Sequence, residues 1–183
     1  DAKEYMQLVR GNVRGIGSTL SLVYHAKIMR KTYVILHNIR SAHNVGSIFR
    51  TADGAGVSKI FLTGYTPTPI NRFGLPNAEI AKTSLGAVDT VPYEISIDTA
   101  PVIANLKNNG VVIVGIEQTP VAIPYTSYTP QGDIAFIFGN EVTGIEPEVL
   151  VPCDTHLQLP MSGSKESLNV SVCAGIVLFH FKE

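Results

Sequence analysis

The sequence predicts an α/β fold in which a mostly parallel β-sheet carries helices on both faces. Short apolar runs alternate along the chain with segments of helical periodicity, which is the order of elements in such folds. Several of these runs are apolar at every position, as expected of parallel strands that are buried on both faces. The length of 183 residues, 45% of them apolar, suits one domain of this class.

Six runs rich in β-branched and aromatic residues are predicted to be strands, because these side chains fit a pleated and buried surface. They are residues 33–36, 59–63, 90–95, 111–115, 134–138 and 156–159. The run 90–95 carries the weakest signal, since Pro92 interrupts it and proline cannot donate a hydrogen bond to a ladder.

Helices are predicted from apolar spacing and from capping residues. They cover residues 44–55, 77–84, 99–108 and 167–181. Asn44 and Ser167 belong to the residue types that cap helix N-termini, and Gly56 is placed to end the first of these helices. Residues 64–76 and 118–132 are predicted to be loops.

Positive charge is concentrated at the start of the chain. Residues 1–50 carry eight Lys and Arg against two acidic residues, a balance of +6. The remaining residues have a balance of −7, although the net charge of the whole chain is only −1. We predict a basic N-terminal helical segment at residues 1–30 and one folded domain at residues 31–183. Such a segment suits contact with a polyanion, and a solvated basic face is the alternative.

Several function classes lack their sequence signals. No apolar run approaches the roughly 20 residues of a membrane helix, so no membrane segment is predicted. The P-loop, the dinucleotide fingerprint and the hydrolase nucleophile elbow are all missing. The histidines are scattered and the two cysteines form no C-x-x-C pair, so no metal site is predicted. His37 and His156 are expected to be hydrogen-bonded structural residues, and the unpaired cysteines suit a cytoplasmic location.

Three polar, glycine-containing segments each follow a predicted strand, at residues 38–53, 138–145 and 159–171. Open α/β sheets bind ligands at the carboxyl ends of their strands. We therefore expect the three segments to converge at that edge of the sheet.

In the first segment, Arg50 should lean over the preceding helical turn, where Gly46 leaves space near the start of the helix. An arginine beside a helix N-terminus that also presents Asn44 suits a phosphate or a developing oxyanion. The alternative is that Asn44 only caps the helix and Arg50 only pairs with Asp53.

The second segment places Glu141 between Gly139 and Gly144, and glycines let a backbone approach a ligand closely. The alternative is an ordinary turn with an exposed glutamate. In the third segment, capping alone accounts for Ser167 but leaves the neighbouring Asn169 unexplained.

Together these segments resemble, in order and spacing, the three motifs of the SpoU/TrmH family of RNA ribose 2'-O-methyltransferases, within the SPOUT superfamily. The first motif is matched by Asn44, Gly46 and Arg50, and the second by Gly139, Glu141 and Gly144. The third is matched by Leu159-Pro160-Met161 and by Ser167-Leu168-Asn169-Val170-Ser171. The resemblance covers about residues 33–181.

The resemblance implies an α/β-knot fold with a C-terminal trefoil knot, a homodimer, and S-adenosyl-L-methionine as the methyl donor. It implies cofactor contacts by Gly139, Gly144, Leu159, Met161 and Leu168. It implies a catalytic set of Asn44, Arg50, Glu141, Ser167 and Asn169.

The implied reaction transfers a methyl group to a ribose 2'-hydroxyl of tRNA or rRNA. Because arginine resists deprotonation, Arg50 is expected to stay cationic and to stabilise the developing alkoxide and the adjacent phosphate. One alternative is a non-catalytic RNA-binding or scaffold protein of the same fold, and another is a SPOUT enzyme that methylates a base. The complete set of motif residues favours the enzyme over the scaffold.

Overall fold

The structure is a computed structural model and describes residues 30–182. The strands of this part are β1 (Thr32–His37), β2 (Lys59–Thr63), β3 (Tyr93–Ser96), β4 (Val112–Ile116), β5 (Ile123–Pro124), β6 (Ile134–Phe138) and β7 (Thr155–Gln158). The helices are α1 (Ala42–Ala55), α2 (Ala78–Ser84), α3 (Ala87–Thr90), α4 (Thr99–Asn108), α5 (Pro147–Leu150) and α6 (Val170–Phe181), with a 3₁₀ turn at Tyr125–Ser127.

The seven strands form one sheet in the order β3-β2-β1-β6-β4-β7-β5, and every strand pair described is parallel. β1 and β6 lie near the centre, with Thr32 opposite Ile134. All five residues of β6 are buried, which explains why this run is apolar at every position. The predicted parallel sheet is confirmed, and the carboxyl ends of its strands share one edge.

Helices cover both faces of the sheet, as predicted. On one face, α1, α2, α3 and α6 pack against one set of alternate strand residues, which includes Leu36 and Phe136. On the other face, α4 and α5 pack against the residues between them, which include Ile35 and Ile137. Successive strand side chains point to opposite faces, so an apolar strand supplies both cores at once.

Helix α1 begins earlier than predicted, and Ser41 is its N-cap. The Ser41 hydroxyl accepts a hydrogen bond from the backbone N–H of Asn44 at 3.3 Å. The prediction that Asn44 caps this helix is therefore wrong, because Asn44 lies inside the first turn with its side chain free for other contacts. Ser41 and Asn44 are both capping types, so composition alone does not choose between them.

Helix α6 begins later than predicted, and its N-cap is Asn169. The Asn169 side chain accepts a hydrogen bond from the backbone N–H of Ser171 at 2.9 Å. The prediction that Ser167 caps this helix is therefore wrong. Ser167 lies in the extended segment before the helix, which leaves it beside the cavity described below.

Two segments differ in secondary structure from the prediction. Part of the weak strand at 90–95 is helical in α3, and β3 begins only after Pro92, whose carbonyl accepts from the Ile60 N–H at 2.9 Å. The segment 118–132 contains the two residues of β5, which pair with β7.

The basic helical segment at residues 1–30 lies outside the described residues except for Arg30. The trefoil knot stays a prediction, and the parallel sheet is consistent with it. No helix between residues 30 and 182 is long and apolar enough to cross a membrane.

Candidate active site

A cavity of about 200 Å³ opens at the carboxyl edge of the sheet, where the segments after β4, β6 and β7 meet the start of α6. All five residues predicted to contact a cofactor line it: Gly139, Gly144, Leu159, Met161 and Leu168. Glu141 and Ser167, from the predicted catalytic set, line it as well. Two of the three motif segments therefore meet at one cavity, and hydrogen bonds connect the third to it.

The loop after β6 folds back on itself, because Asn140 and Gly144 exchange two backbone hydrogen bonds of 3.0 Å. A Cβ atom on Gly139 would lie 2.6 Å from the Gly144 carbonyl. Gly144 has a φ of +71°, and a Cβ there would lie 2.4 Å from Oε2 of Glu117. These contacts within the protein require both glycines, so neither needs to be explained by the close approach of a ligand.

Glu117, which follows β4, is a cavity residue that the sequence analysis missed. Its carboxylate accepts hydrogen bonds from the backbone N–H groups of Gln118 and Ile145, both at 2.9 Å. Glu117 thereby joins the end of β4 to the loop after β6. A polar residue directly after a strand was the available signal, since the same signal selected the other three segments.

Glu141 binds the N-terminus of α1. Its two carboxylate oxygens accept from the backbone N–H groups of Arg40 at 2.9 Å and Ser41 at 3.2 Å, and from Nδ2 of Asn44 at 2.8 Å. Burial by itself raises the pKa of the Glu141 carboxyl, but the hydrogen bonds from Arg40, Asn44 and Ser41 outweigh it and hold the pKa below its usual value. Glu141 is therefore ionised and held in one position. The alternative of an ordinary turn with an exposed glutamate is wrong.

The hydrogen-bonded row continues from Asn44 to the start of α6. Nδ2 of Asn169 donates to Oδ1 of Asn44 at 3.2 Å. Oδ1 of Asn169 accepts from the backbone N–H of Ser171 at 2.9 Å and from its hydroxyl at 2.7 Å. Asn44, Glu141 and Asn169, which come from three distant motifs, thus form one polar row.

Arg50 lies outside this row. It is exposed in the second half of α1, six residues after Asn44 and so about 9 Å further along the helix axis. Its guanidinium makes no hydrogen bond or ion pair within residues 30–182. The Asp53 carboxylate accepts from the Thr90 hydroxyl at 2.7 Å instead, so the alternative Arg50–Asp53 pair is not formed.

Gly46 serves the packing of α1 against α2. A Cβ atom on Gly46 would lie 2.0 Å from Oγ1 of Thr83 and 2.6 Å from the carbonyl oxygen of Ile80. The expectation that Gly46 leaves room for the Arg50 guanidinium is therefore wrong, because α2 fills that space.

A second polar cluster lies at the ends of β1 and β2. Nδ1 of His37 is 2.7 Å from the Thr99 hydroxyl, and its Nε2 is 2.5 Å from Oε2 of Glu146. Asn38 donates to the other oxygen of Glu146 at 3.1 Å. Burial by itself raises the pKa of the Glu146 carboxyl. Hydrogen bonds from its own backbone, Asn38 and His37 outweigh that effect, so the pKa lies below its usual value. The prediction that His37 is a hydrogen-bonded structural residue is confirmed.

The composition of the cavity wall indicates what it can hold. Apolar residues such as Leu159 and Leu168 line it together with the acidic residues Glu117 and Glu141. This combination suits a ligand with a flat apolar part and a positive charge. Burial, with the nearby charge of Glu117, raises the pKa of the Cys173 thiol to about 12, so thiolate chemistry is not favoured here. Within residues 30–182, no group of side chains is suited to a metal ion.

Comparisons with known proteins agree with this geometry. A sequence profile of the SpoU rRNA Methylase family matches residues 31–179. The 23S rRNA (guanosine-2'-O-)-methyltransferase RlmB of Neisseria meningitidis serogroup B is 34% identical over 145 residues, which are 79% of this chain and 55% of that protein. The chain therefore spans little more than half the length of this relative.

Solved structures give the same result. An AdoMet-bound rRNA methyltransferase from Sinorhizobium meliloti superimposes with a TM-score of 0.74 and 30% identity, covering 82% of this chain and 55% of that one. A TrmH/SpoU tRNA modifying enzyme from A. aeolicus superimposes with a TM-score of 0.72 and 25% identity, covering 82% and 73% of the two chains.

Proposed function

This chain belongs to the SpoU rRNA Methylase family, and on that premise we propose that it transfers a methyl group from S-adenosylmethionine to a ribose 2'-hydroxyl of RNA. The observation that carries the proposal is the row formed by Asn44, Glu141 and Asn169 beside a cavity with mixed apolar and acidic walls. The substrate is tRNA or rRNA, as it is for the relatives by their names.

The cofactor is assigned to the cavity at the carboxyl edge. Gly139, Gly144, Leu159, Met161 and Leu168 would hold it. S-adenosylmethionine supplies a methyl group that is already activated by the positive charge of its sulfonium. The apolar wall suits an adenine ring, and the acidic residues Glu117 and Glu141 suit the positive charge. The cavity therefore fits this group on the chemistry of its lining.

The polar row positions groups and does not take up the hydroxyl proton. Glu141 is a weak base because its pKa is lowered, so we assign it to fixing Asn44. Asn169 and Ser167 are assigned to holding the substrate or the loop beside the cavity. The 2'-hydroxyl proton leaves to water or to substrate phosphate.

Arg50 is assigned to the phosphate and the developing negative charge of the substrate. Its exposure leaves the planar guanidinium available to an RNA strand that lies along α1. Because arginine stays protonated, its contribution is electrostatic. Arg50 therefore acts on the substrate from outside the cavity, whereas Asn44, Glu141 and Asn169 act beside the cavity.

A second copy of the chain is the partner assigned to α6. This helix has no Asp, Glu, Lys or Arg, and its inner side is buried in the core. Val172 and Phe179, on the outer side, remain about half exposed. A helix whose exposed side is also largely apolar is normally covered, so we propose a homodimer through this face. We place the protein in the cytoplasm, where its free cysteines stay reduced.

Labelled methyl transfer to total tRNA and rRNA, followed by nucleoside analysis, tests the proposal. The expected product is a 2'-O-methylated nucleoside. A methylated base would identify a base methyltransferase, and RNA binding without transfer would identify a scaffold protein. Either of these results overturns the proposed reaction.

A further inference from the structure

Tyr65, just after β2, is an exposed aromatic residue whose orientation is fixed at both ends. The side chain is largely open to solvent, since 61% of the residue's surface is exposed. Its backbone N–H donates to Oδ1 of Asn38 at 3.2 Å, and its hydroxyl accepts from Nδ2 of Asn140 at 2.7 Å. An exposed ring normally samples several rotamers, whereas these two hydrogen bonds hold this ring in one position.

The residues that hold Tyr65 are themselves fixed. Asn140 is 6% exposed and also donates to the Asn38 carbonyl at 3.0 Å, while its Oδ1 accepts from two backbone N–H groups of its own loop. Asn38 is held in turn by Glu146 at 3.1 Å. Gly64 has a φ of +66°, and a Cβ atom there would lie 1.9 Å from Oδ1 of Asn38. Glycine at this position is what lets the backbone bring Tyr65 to Asn38.

This anchoring places the ring beside the candidate active site. Asn140 lines the cavity, and the next residue is Glu141 of the polar row. Within residues 30–182, no other aromatic ring or cation stacks on Tyr65. A preorganised and uncovered aromatic face therefore lies next to the groups assigned to the reaction.

An unpaired nucleobase is the ligand that this face suits. Proteins that bind single-stranded RNA stack its bases on aromatic side chains, and a fixed ring loses little conformational entropy when it does so. Arg40, whose backbone N–H binds Glu141, is exposed and adds positive charge suited to the phosphates of the same strand.

Resting on the proposed RNA methylation, we propose that Tyr65 stacks on an unpaired base of the substrate and thereby holds the RNA strand beside the cavity. The methyl group is transferred to the ribose, so the base remains available to stack on Tyr65. The substrate class is then RNA whose target region is single-stranded, such as a loop. Because every base has a stacking face, this contact tolerates changes of base.

Two substitutions separate stacking from a structural role. Tyr65→Leu removes the ring, and we expect the KM for RNA to rise by about 5- to 150-fold, the loss of one base stack, with kcat and the Kd of S-adenosylmethionine unchanged. Tyr65→Phe keeps the ring but loses the Asn140 contact, and it should restore most of the RNA affinity. Equal defects in both variants, or a weaker cofactor affinity, would mean that Tyr65 only supports the loop, and the proposal would fail.

A fluorescence measurement decides the same question without catalysis. The chain has no tryptophan, so Tyr65→Trp introduces a single reporter. We expect an unpaired RNA oligonucleotide to quench its emission. Val151→Trp is the control, because Val151 is 82% exposed and precedes β7 at the opposite edge of the sheet.

The outcomes of the two measurements are distinguishable. Oligonucleotide binding without a change at Tyr65→Trp, equal changes in both tryptophan variants, or no binding at all overturns the stacking proposal. Quenching at Tyr65→Trp alone supports stacking even if the wild-type chain methylates no RNA, a result that would overturn only the proposed reaction.

Discussion

At the scale of single residues, the central feature is a row of three side chains from distant parts of the sequence. Glu141 holds Asn44, and Asn44 accepts from Asn169. The motif pattern selected all three residues, but it could not predict the row, because helix starts determine where these side chains point. Asn44, expected to be an N-cap, lies three residues after the N-cap Ser41, and Asn169 is itself the N-cap in place of the expected Ser167.

Glu141→Gln tests the charge in this row. An amide cannot accept from Arg40, Ser41 and Asn44 as a carboxylate does, so we expect the free energy of unfolding to fall by about 1 to 2 kcal/mol at pH 7. Because the pKa of Glu141 is lowered in the folded state, its stabilisation is present above the ordinary value of 4.5 and is lost as the pH falls through the folded pKa.

Urea unfolding measured from pH 7 to pH 3 reports this effect. Wild-type stability should fall more steeply below about pH 4.5 than that of Glu141→Gln, because the variant lacks one of the lowered carboxyl groups. Glu146 contributes the same dependence in both proteins and serves as the internal reference. Identical pH slopes would show that Glu141 is not held as an ionised group.

Arg50→Lys tests the exposed guanidinium. Lysine keeps the charge but loses the planar fork, so we expect the turnover number to fall at least about tenfold while the Kd of S-adenosylmethionine stays unchanged. Steady-state kinetics and calorimetry measure the two quantities. Full turnover in Arg50→Lys would show that the fork is not needed, and a weaker cofactor affinity would place Arg50 at the cavity instead.

At the scale of elements, the packing of α1 against α2 depends on Gly46. We expect Gly46→Ala to lower the free energy of unfolding by about 1 to 3 kcal/mol, although alanine is the better helix former, because its methyl group meets Thr83 and Ile80. Gly54→Ala is the matched control on the same helix. Its Cβ would be 3.5 Å from the nearest atom, on Phe179, so it should be neutral or stabilising by up to about 1 kcal/mol.

Denaturant unfolding of both variants provides the comparison. A stability loss in Gly54→Ala equal to that in Gly46→Ala would mean that the glycines act through backbone freedom and not through helix packing. The sequence identified Gly46 as a motif residue, but only the three-dimensional neighbour α2, about 35 residues later in the chain, explains it.

The outer face of α6 gives a second prediction at this scale. We expect Val172→Glu to convert a dimer to a monomer, because a carboxylate in a covered apolar interface is costly. Val151→Glu changes an exposed residue outside α6 and should leave the oligomeric state unchanged. Light scattering coupled to size exclusion measures both. A wild-type monomer, or a dimer that tolerates Val172→Glu, would contradict the assignment of α6 as the interface.

At the scale of the whole molecule, the parallel sheet with helices on both faces was predictable, because alternation and uniformly apolar strands are local signals. The strand order was not predictable from these signals, since pairing such as β6 between β1 and β4 joins distant residues. Short elements such as α3, α5 and β5 carry too few residues to show a period. Convergence of the three segments was predictable from strand direction, and Glu117 was predictable from its position directly after β4.

The most direct test of the account uses the reactivity of the 2'-hydroxyl itself. Alkali cleaves RNA through attack by this hydroxyl, so a methylated ribose resists cleavage at its own position. An end-labelled RNA that has been treated with the chain and S-adenosylmethionine should give an alkaline ladder with a single missing band. Methyl incorporation with a complete ladder would place the methyl group on a base, and no incorporation would show that the assembled site does not carry out the proposed transfer.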